Sequence, residues 1–157
     1  MSVNDSKQPP CVLLVEDSPD DIFFFKRALE KMGIDAALQI ADDGAKAIEY
    51  LSTGATMVPD IMFLDLKMPN VNGFEVLEWL ETQNFKTRIR VVVLTSSEEP
   101  REMHAAYGLG AAAFITKPVS SERLRQEIES AQTDQASRTS RALDASHARQ
   151  HRAAHEG

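Results

Sequence analysis

Apolar positions along the chain follow two rhythms. Short, nearly unbroken apolar runs occur at 11–15 (CVLLV), 36–41 (AALQIA), 60–66 (DIMFLDL), 90–95 (RVVVLT) and 111–116 (AAAFIT). Strands buried on both faces read this way, because neither side meets water. Between the runs, apolar residues return every three or four positions, the spacing of an amphipathic helix. Ile22, Phe25, Leu29 and Met32 make one such stripe, and Gly33 follows as a stop. The pattern predicts helices over 20–33, 43–51, 73–82, 100–110 and 121–131. In the third, Phe74, Leu77 and Leu80 share a face, while Tyr50 and Trp79 read as packing residues on their helices. In the first, helical angle sends Phe25 to the core, Phe24 to its margin and Phe23 to solvent.

Five strands alternating with five helices predict βαβ units and an α/β fold: a doubly wound parallel sheet covered on both faces. Residues 1–10 are polar and end in Pro9-Pro10, so a disordered lead-in is expected. The folded domain is expected over 11–131. Residues 132–157 lack a core-forming stripe and read as a flexible or marginally helical tail. His147, His151 and His155 recur there every fourth residue; the reading is a polar tail with incidental histidines.

Composition narrows the class. Of 157 residues, 43% are hydrophobic and 26% charged, enough for a globular core. A formal net charge of -7 argues against nucleic acid or an anionic membrane as partner. The single cysteine, Cys11, allows no intrachain disulfide and suits a reducing compartment. The N-terminus has no apolar signal region, and no segment nears the roughly 20 apolar residues of a membrane helix. A cytoplasmic protein is expected.

A doubly wound sheet binds its ligand beyond the carboxyl ends of its strands. The first predicted strand ends in Glu16-Asp17 and the third near Asp65. The fourth ends at Thr95, before Ser96 and Ser97, and the fifth at Thr116-Lys117-Pro118. Three carboxylates, a hydroxyl and an ammonium therefore meet on one edge. Their charges leave an excess that one divalent cation would match, and all-oxygen ligation suits Mg²⁺ or Mn²⁺. The segment VEDSPDD, 15–21, divides accordingly. Glu16 and Asp17 fall at the strand end, Ser18 fits a helix N-cap and Pro19 the first helical position. Asp20 and Asp21 fall in the first turn, where the helix dipole favours acids. A nucleotide site would want a glycine-rich loop after the first strand, and none follows. A phosphohydrolase of the haloacid-dehalogenase kind remains as an alternative. It wants an acid two residues after the nucleophilic aspartate, where Lys67 stands.

The stretches LLVEDSPDD, DIMFLDLKMPNVNGFEVL, VVVLTSS and AAAFITKP resemble the receiver domain of two-component response regulators over residues 11–131. Within that family the chain is most similar to small single-domain regulators of phytochrome-type histidine kinases. The resemblance implies a flavodoxin-like receiver fold with strand order 2-1-3-4-5. It implies that Asp65 is the phosphoacceptor, taking a phosphoryl group from a phosphohistidine or a small phosphodonor. Asp17, Asp65 and the Lys67 backbone carbonyl would ligate Mg²⁺, with Glu16 acting through water. Lys117 would pair with the phosphoryl group, Thr95 would hydrogen-bond it, and the Lys117-Pro118 bond would be cis. Such a protein is no enzyme beyond catalysing its own phosphorylation and slow autodephosphorylation.

The family's switch moves the Thr95 hydroxyl and lets Phe114 rotate inward. That alters the surface of the fourth helix, fifth strand and fifth helix around His104, Tyr107, Phe114 and Arg123. Lys67 and Ser97 depart from the commonest pattern and are assigned to the phosphoryl lifetime. Phe23 is assigned to docking the kinase's phosphotransfer domain. A receiver that has lost phosphorylation is disfavoured, since all five site residues are present. The roughly 25 residues after the last helix are too few for a DNA-binding domain. Output is therefore expected through a separate protein, a return transfer or a homodimer.

Overall fold

The computed structural model describes residues 9–53, 58–83, 89–96 and 99–134. Ser97, most of the lead-in, and the tail from 135 with its three histidines lie outside the described residues. The strands are β1 (Cys11–Val15), β2 (Ala37–Ala41), β3 (Ile61–Asp65), β4 (Arg90–Thr95) and β5 (Ala113–Thr116). The helices are α1 (Pro19–Met32), α2 (Gly44–Ser52), α3 (Gly73–Glu81), α4 (Pro100–Gly108) and α5 (residues 121–134). All strand pairs are parallel, in the order β2-β1-β3-β4-β5.

Successive strand residues point to opposite faces, and both faces are apolar, which explains the unbroken runs. Val12, Leu14, Ile61, Phe63, Val92 and Leu94 meet Phe25, Leu29 and Met32 of α1 and Leu124 and Ile128 of α5. Leu13, Val15, Met62, Leu64, Val91 and Val93 meet α2, α3 and Ala106 of α4. Tyr50 and Trp79 pack against this second cluster, as expected. β2 has the least apolar sequence because it is an edge strand, with only Ala41 buried.

Local signals set most boundaries. Ser18 caps α1, accepting the Asp21 N–H at 3.3 Å, with Pro19 at the helix start. Gly33 closes α1 at φ 75°, a left-handed conformation that glycine adopts without a Cβ penalty. Asp43 and Asn72 cap α2 and α3. α4 and β5 are shorter than the apolar pattern predicts. Gly110, at φ 103°, turns the chain, and the Ala111 N–H is consumed by the Ala106 carbonyl.

One facing differs from expectation. Phe24 is 58% exposed and Phe23 55%, so Phe24 does not belong to the core margin. The two rings sit edge to face, 5.7 Å apart, on the outside of α1. Phe25 is the ring that packs above the sheet, edge to face on Phe63 at 5.1 Å.

α3 approaches the end of β3 closely. The Gly73 N–H donates to the Leu66 carbonyl at 3.2 Å. A Cβ at Gly73 would collide with the Asp65 carbonyl oxygen and stand 2.7 Å from Leu66 Cα. These neighbours are backbone and cannot swing aside. Gly73→Ala is expected to cost about 1–3 kcal/mol by overpacking. Urea unfolding checks this, and a midpoint equal to wild type would show that α3 shifts freely.

Candidate functional site

β1 and β3 are neighbours, and Val15 pairs with Leu64. Glu16 and Asp65 therefore emerge side by side at the carboxyl edge, at the point where the strand order reverses. One carboxylate oxygen each from Glu16, Asp17 and Asp65 lies within 4.8 Å of the others. Glu16 is 1% exposed and Asp65 is also buried. Thr95 ends β4 one residue beyond the partner of Asp65 and is fully buried. β5 ends at Thr116, and the next peptide nitrogen, that of Lys117, donates to the Thr95 carbonyl at 2.7 Å. The Lys117-Pro118 bond is cis.

Lys117 brings its ammonium back over this edge. Nζ lies 2.7 Å from Glu16 Oε2, 2.8 Å from Asp21 Oδ2 and 3.4 Å from Asp65 Oδ2. The Glu16 and Asp65 carboxylates have backbone partners too. Glu16 Oε1 accepts the Ser18 N–H at 3.1 Å, and Asp65 Oδ1 accepts the Lys67 N–H at 3.0 Å. The side chains of Glu16, Asp17, Asp65 and Lys117 thus lie together, and Thr95 ends the neighbouring strand on the same edge.

Asp21 joins this group although sequence reasoning does not place it there. Its position in the first turn of α1 explains it as a dipole partner, and the structure adds a second partner, Lys117. A local signal does exist. The third position of a helix points its side chain back toward the residues that precede the helix, here the end of β1. Two other assigned residues stand apart. Lys67 is exposed and turns its ammonium toward Glu102 Oε1 of α4, 3.9 Å away. Phe114 is half-buried beside Tyr107, with ring centroids 6.5 Å apart. Of the proposed readout surface, His104 and Tyr107 face solvent, while Arg123 is paired with buried Glu127.

Crowding sets the electrostatics. Burial pushes the Glu16 carboxyl up, the Lys117 hydrogen bond opposes this, and the Asp65 charge pushes it up again, to about 7. Burial alone would lower Lys117. Its hydrogen bonds to Asp21 and Glu16 and the Asp65 charge outweigh that and hold the ammonium above its ordinary range. One ammonium does not neutralise four carboxylates. Hard oxygen donors this close fit a divalent cation such as Mg²⁺, which uses few carboxylates and retains water.

The chain matches the family described as "Response regulator receiver domain" over residues 12–129. It is 34% identical over 118 residues to response regulator Rcp1 of Synechocystis, covering 73% of this chain and 80% of that protein. The Mn²⁺-bound structure of Rcp1 superposes with a TM-score of 0.65 at 32% identity, over 80% of this chain and 91% of that one. The bacteriophytochrome response regulator AtBRR gives a TM-score of 0.69 at 35% identity, over 78% and 92%. A probable methanogenesis regulatory protein of Methanothrix harundinacea, FilR2, is 32% identical over 130 residues, covering 81% of this chain and 84% of that protein. With the family match reaching all five strands and a cluster of acids at the edge where β1 and β3 end, this chain belongs to the response regulator receiver domain family.

Proposed function

We propose that the chain works as a single-domain phosphoacceptor in the cytoplasm, charged on Asp65 by the phosphohistidine of a phytochrome-type sensor histidine kinase. One observation carries this. Asp65 is the carboxylate at the end of β3 that faces both the acidic cluster and the Lys117 ammonium. Receiver domains take phosphoryl groups from sensor histidine kinases, and the likeness to Rcp1 and AtBRR supports the phytochrome assignment. A haloacid-dehalogenase phosphohydrolase is set aside. The family match is to receivers, and Lys67 stands where that chemistry wants an acid.

Glu16, Asp17, Asp65 and the Lys67 carbonyl would hold Mg²⁺. When bound, the ion supplies positive charge opposite the phosphoryl oxygens. The chain does the rest. An Asp65 carboxylate oxygen attacks phosphorus, the P–N bond of the phosphohistidine breaks, and its electron pair leaves with the imidazole. Lys117 takes up part of the new charge, and Thr95 offers its hydroxyl from β4. The catalysis amounts to alignment and neutralisation, as phosphoryl transfer requires. Loss of the group is hydrolysis, in which water attacks phosphorus and phosphate departs.

Thr95 and Phe114 form the proposed switch, and the half-buried position of Phe114 supports it. With no hydroxyl to bond a partner, Phe114 acts by shape alone on the α4-β5-α5 surface, which a downstream protein or a second copy would read. Phe23, exposed on α1, serves kinase docking. The decisive test is phosphotransfer from candidate kinases to the wild type and to Asp65→Asn.

Lys67 is proposed to prolong the phosphorylated state by leaving Glu102 for the phosphoryl oxygens. Lys67→Asn should speed dephosphorylation by up to about fivefold, the worth of one exposed charged contact. An unchanged decay of labelled protein removes this role.

A further inference from the structure

Lys117 has three N–H groups, and three carboxylates receive them. Their distances are unequal: Glu16 and Asp21 hold the ammonium closely, and Asp65 is the farthest, at 3.4 Å. Their surroundings are unequal too. The Glu16 side chain is 1% exposed, whereas that of Asp21 is 38% exposed. Glu16 cannot exchange its partner for water, and Asp21 can. Beside them lies a cavity of about 280 Å³, lined by Glu16, Asp21, Phe24, Phe25, Lys117 and Pro118. The Lys117–Asp21 contact therefore borders open space rather than packed core.

A phosphoryl group on Asp65 brings a further negative charge and new acceptor oxygens to this edge. The N–H that reaches Asp65 can turn to one of them, and a second N–H must come from Glu16 or Asp21. The bond to Asp21 is the one that water can compensate. We infer that Asp21 is a positioning residue: it holds Lys117 in the unphosphorylated protein and is the partner displaced when Lys117 engages the phosphoryl group. Asp21 thus competes with the phosphorylated state. It sits in the first turn of α1, so its release also couples phosphorylation to the helix that carries Phe23 and Phe24. The inference rests on the proposed acceptor role of Asp65.

The test is calorimetric titration of beryllofluoride, a phosphoryl mimic, into the full chain with Mg²⁺. Asp21→Asn and Asp21→Ser should each bind it about three- to fivefold more tightly than wild type, the scale of a partly exposed ion pair. Asp20→Asn removes an equal charge from the same helical turn at an exposed position and should leave the affinity unchanged. Thermal unfolding of each variant confirms that it is folded, and a capping role alone would move unfolding without moving affinity. Equal tightening in Asp20→Asn would reduce the effect to general charge and overturn the inference. So would unchanged or weaker binding in the Asp21 variants. Absence of binding to the wild type would instead overturn the acceptor role on which the inference stands.

Discussion

Replacing Asp65 by asparagine is expected to abolish phosphoryl incorporation and to yield a protein at least as stable as the wild type. The two effects have separate causes. An amide oxygen is a poor nucleophile toward phosphorus, so transfer stops. In the fold, the amide of Asp65→Asn keeps an acceptor for the Lys67 N–H. It replaces the other carboxylate oxygen, 3.4 Å from the Lys117 ammonium in the wild type, with a neutral amide nitrogen, and removes the charge from the cluster with Glu16 and Asp17. The substitution removes only the longest of the three ion pairs made by Lys117. Relief of like-charge repulsion in a site of reduced dielectric should add about 1 kcal/mol. Labelled phosphotransfer reads the first effect, and urea unfolding in chelator reads the second. A variant that accepts phosphoryl at the wild-type rate would move the acceptor elsewhere. A clear drop in stability would show that the bond to Lys117 outweighs the repulsion.

Mg²⁺ should raise the stability of the wild type and leave Asp17→Ala almost unmoved. An ion that binds only the folded chain adds about 2.7 kcal/mol at a hundredfold excess over its dissociation constant. Asp17 is the most accessible of the three clustered acids, and the Lys117 ammonium is held by Glu16, Asp21 and Asp65 instead. That leaves the Asp17 carboxylate for a metal. Its removal should therefore delete the ion's contribution, and with it metal-dependent phosphorylation, while the metal-free protein unfolds as before or later. Thermal unfolding across a Mg²⁺ series checks this. Full retention of the Mg²⁺ effect in Asp17→Ala would remove Asp17 from the ligand set.

Much of the fold is readable from short-range pattern. β1, β3 and β4 announce themselves because both faces of each strand are covered, so every residue but Arg90 is buried. The edge strand β2 is less distinct because only Ala41 is buried. Ser18, Pro19 and Gly33 mark the ends of α1 through backbone chemistry confined to a few residues. The gathering of Glu16, Asp17, Asp65, Thr95 and Lys117 follows from one rule, that parallel strands end on the same edge. The exposure of Phe24 escapes the pattern because helical angle says which way a residue points, not where the neighbouring layer stops. The room that Gly73 leaves for the Asp65 backbone depends on how closely α3 packs, which no local spacing reports.

By itself, then, the sequence determined the order and type of the elements, the ends of α1 and the edge on which the charged groups meet. These depend on burial period and on capping, both set within a turn or a strand. Only the tertiary structure decided how those charges are shared. Asp21 and Lys117 are 96 residues apart, and their contact exists because α1 and β5 are brought together over one end of the sheet. The acid that sequence position explains as a helix-start residue is, in three dimensions, one of the three carboxylates that hold the lysine.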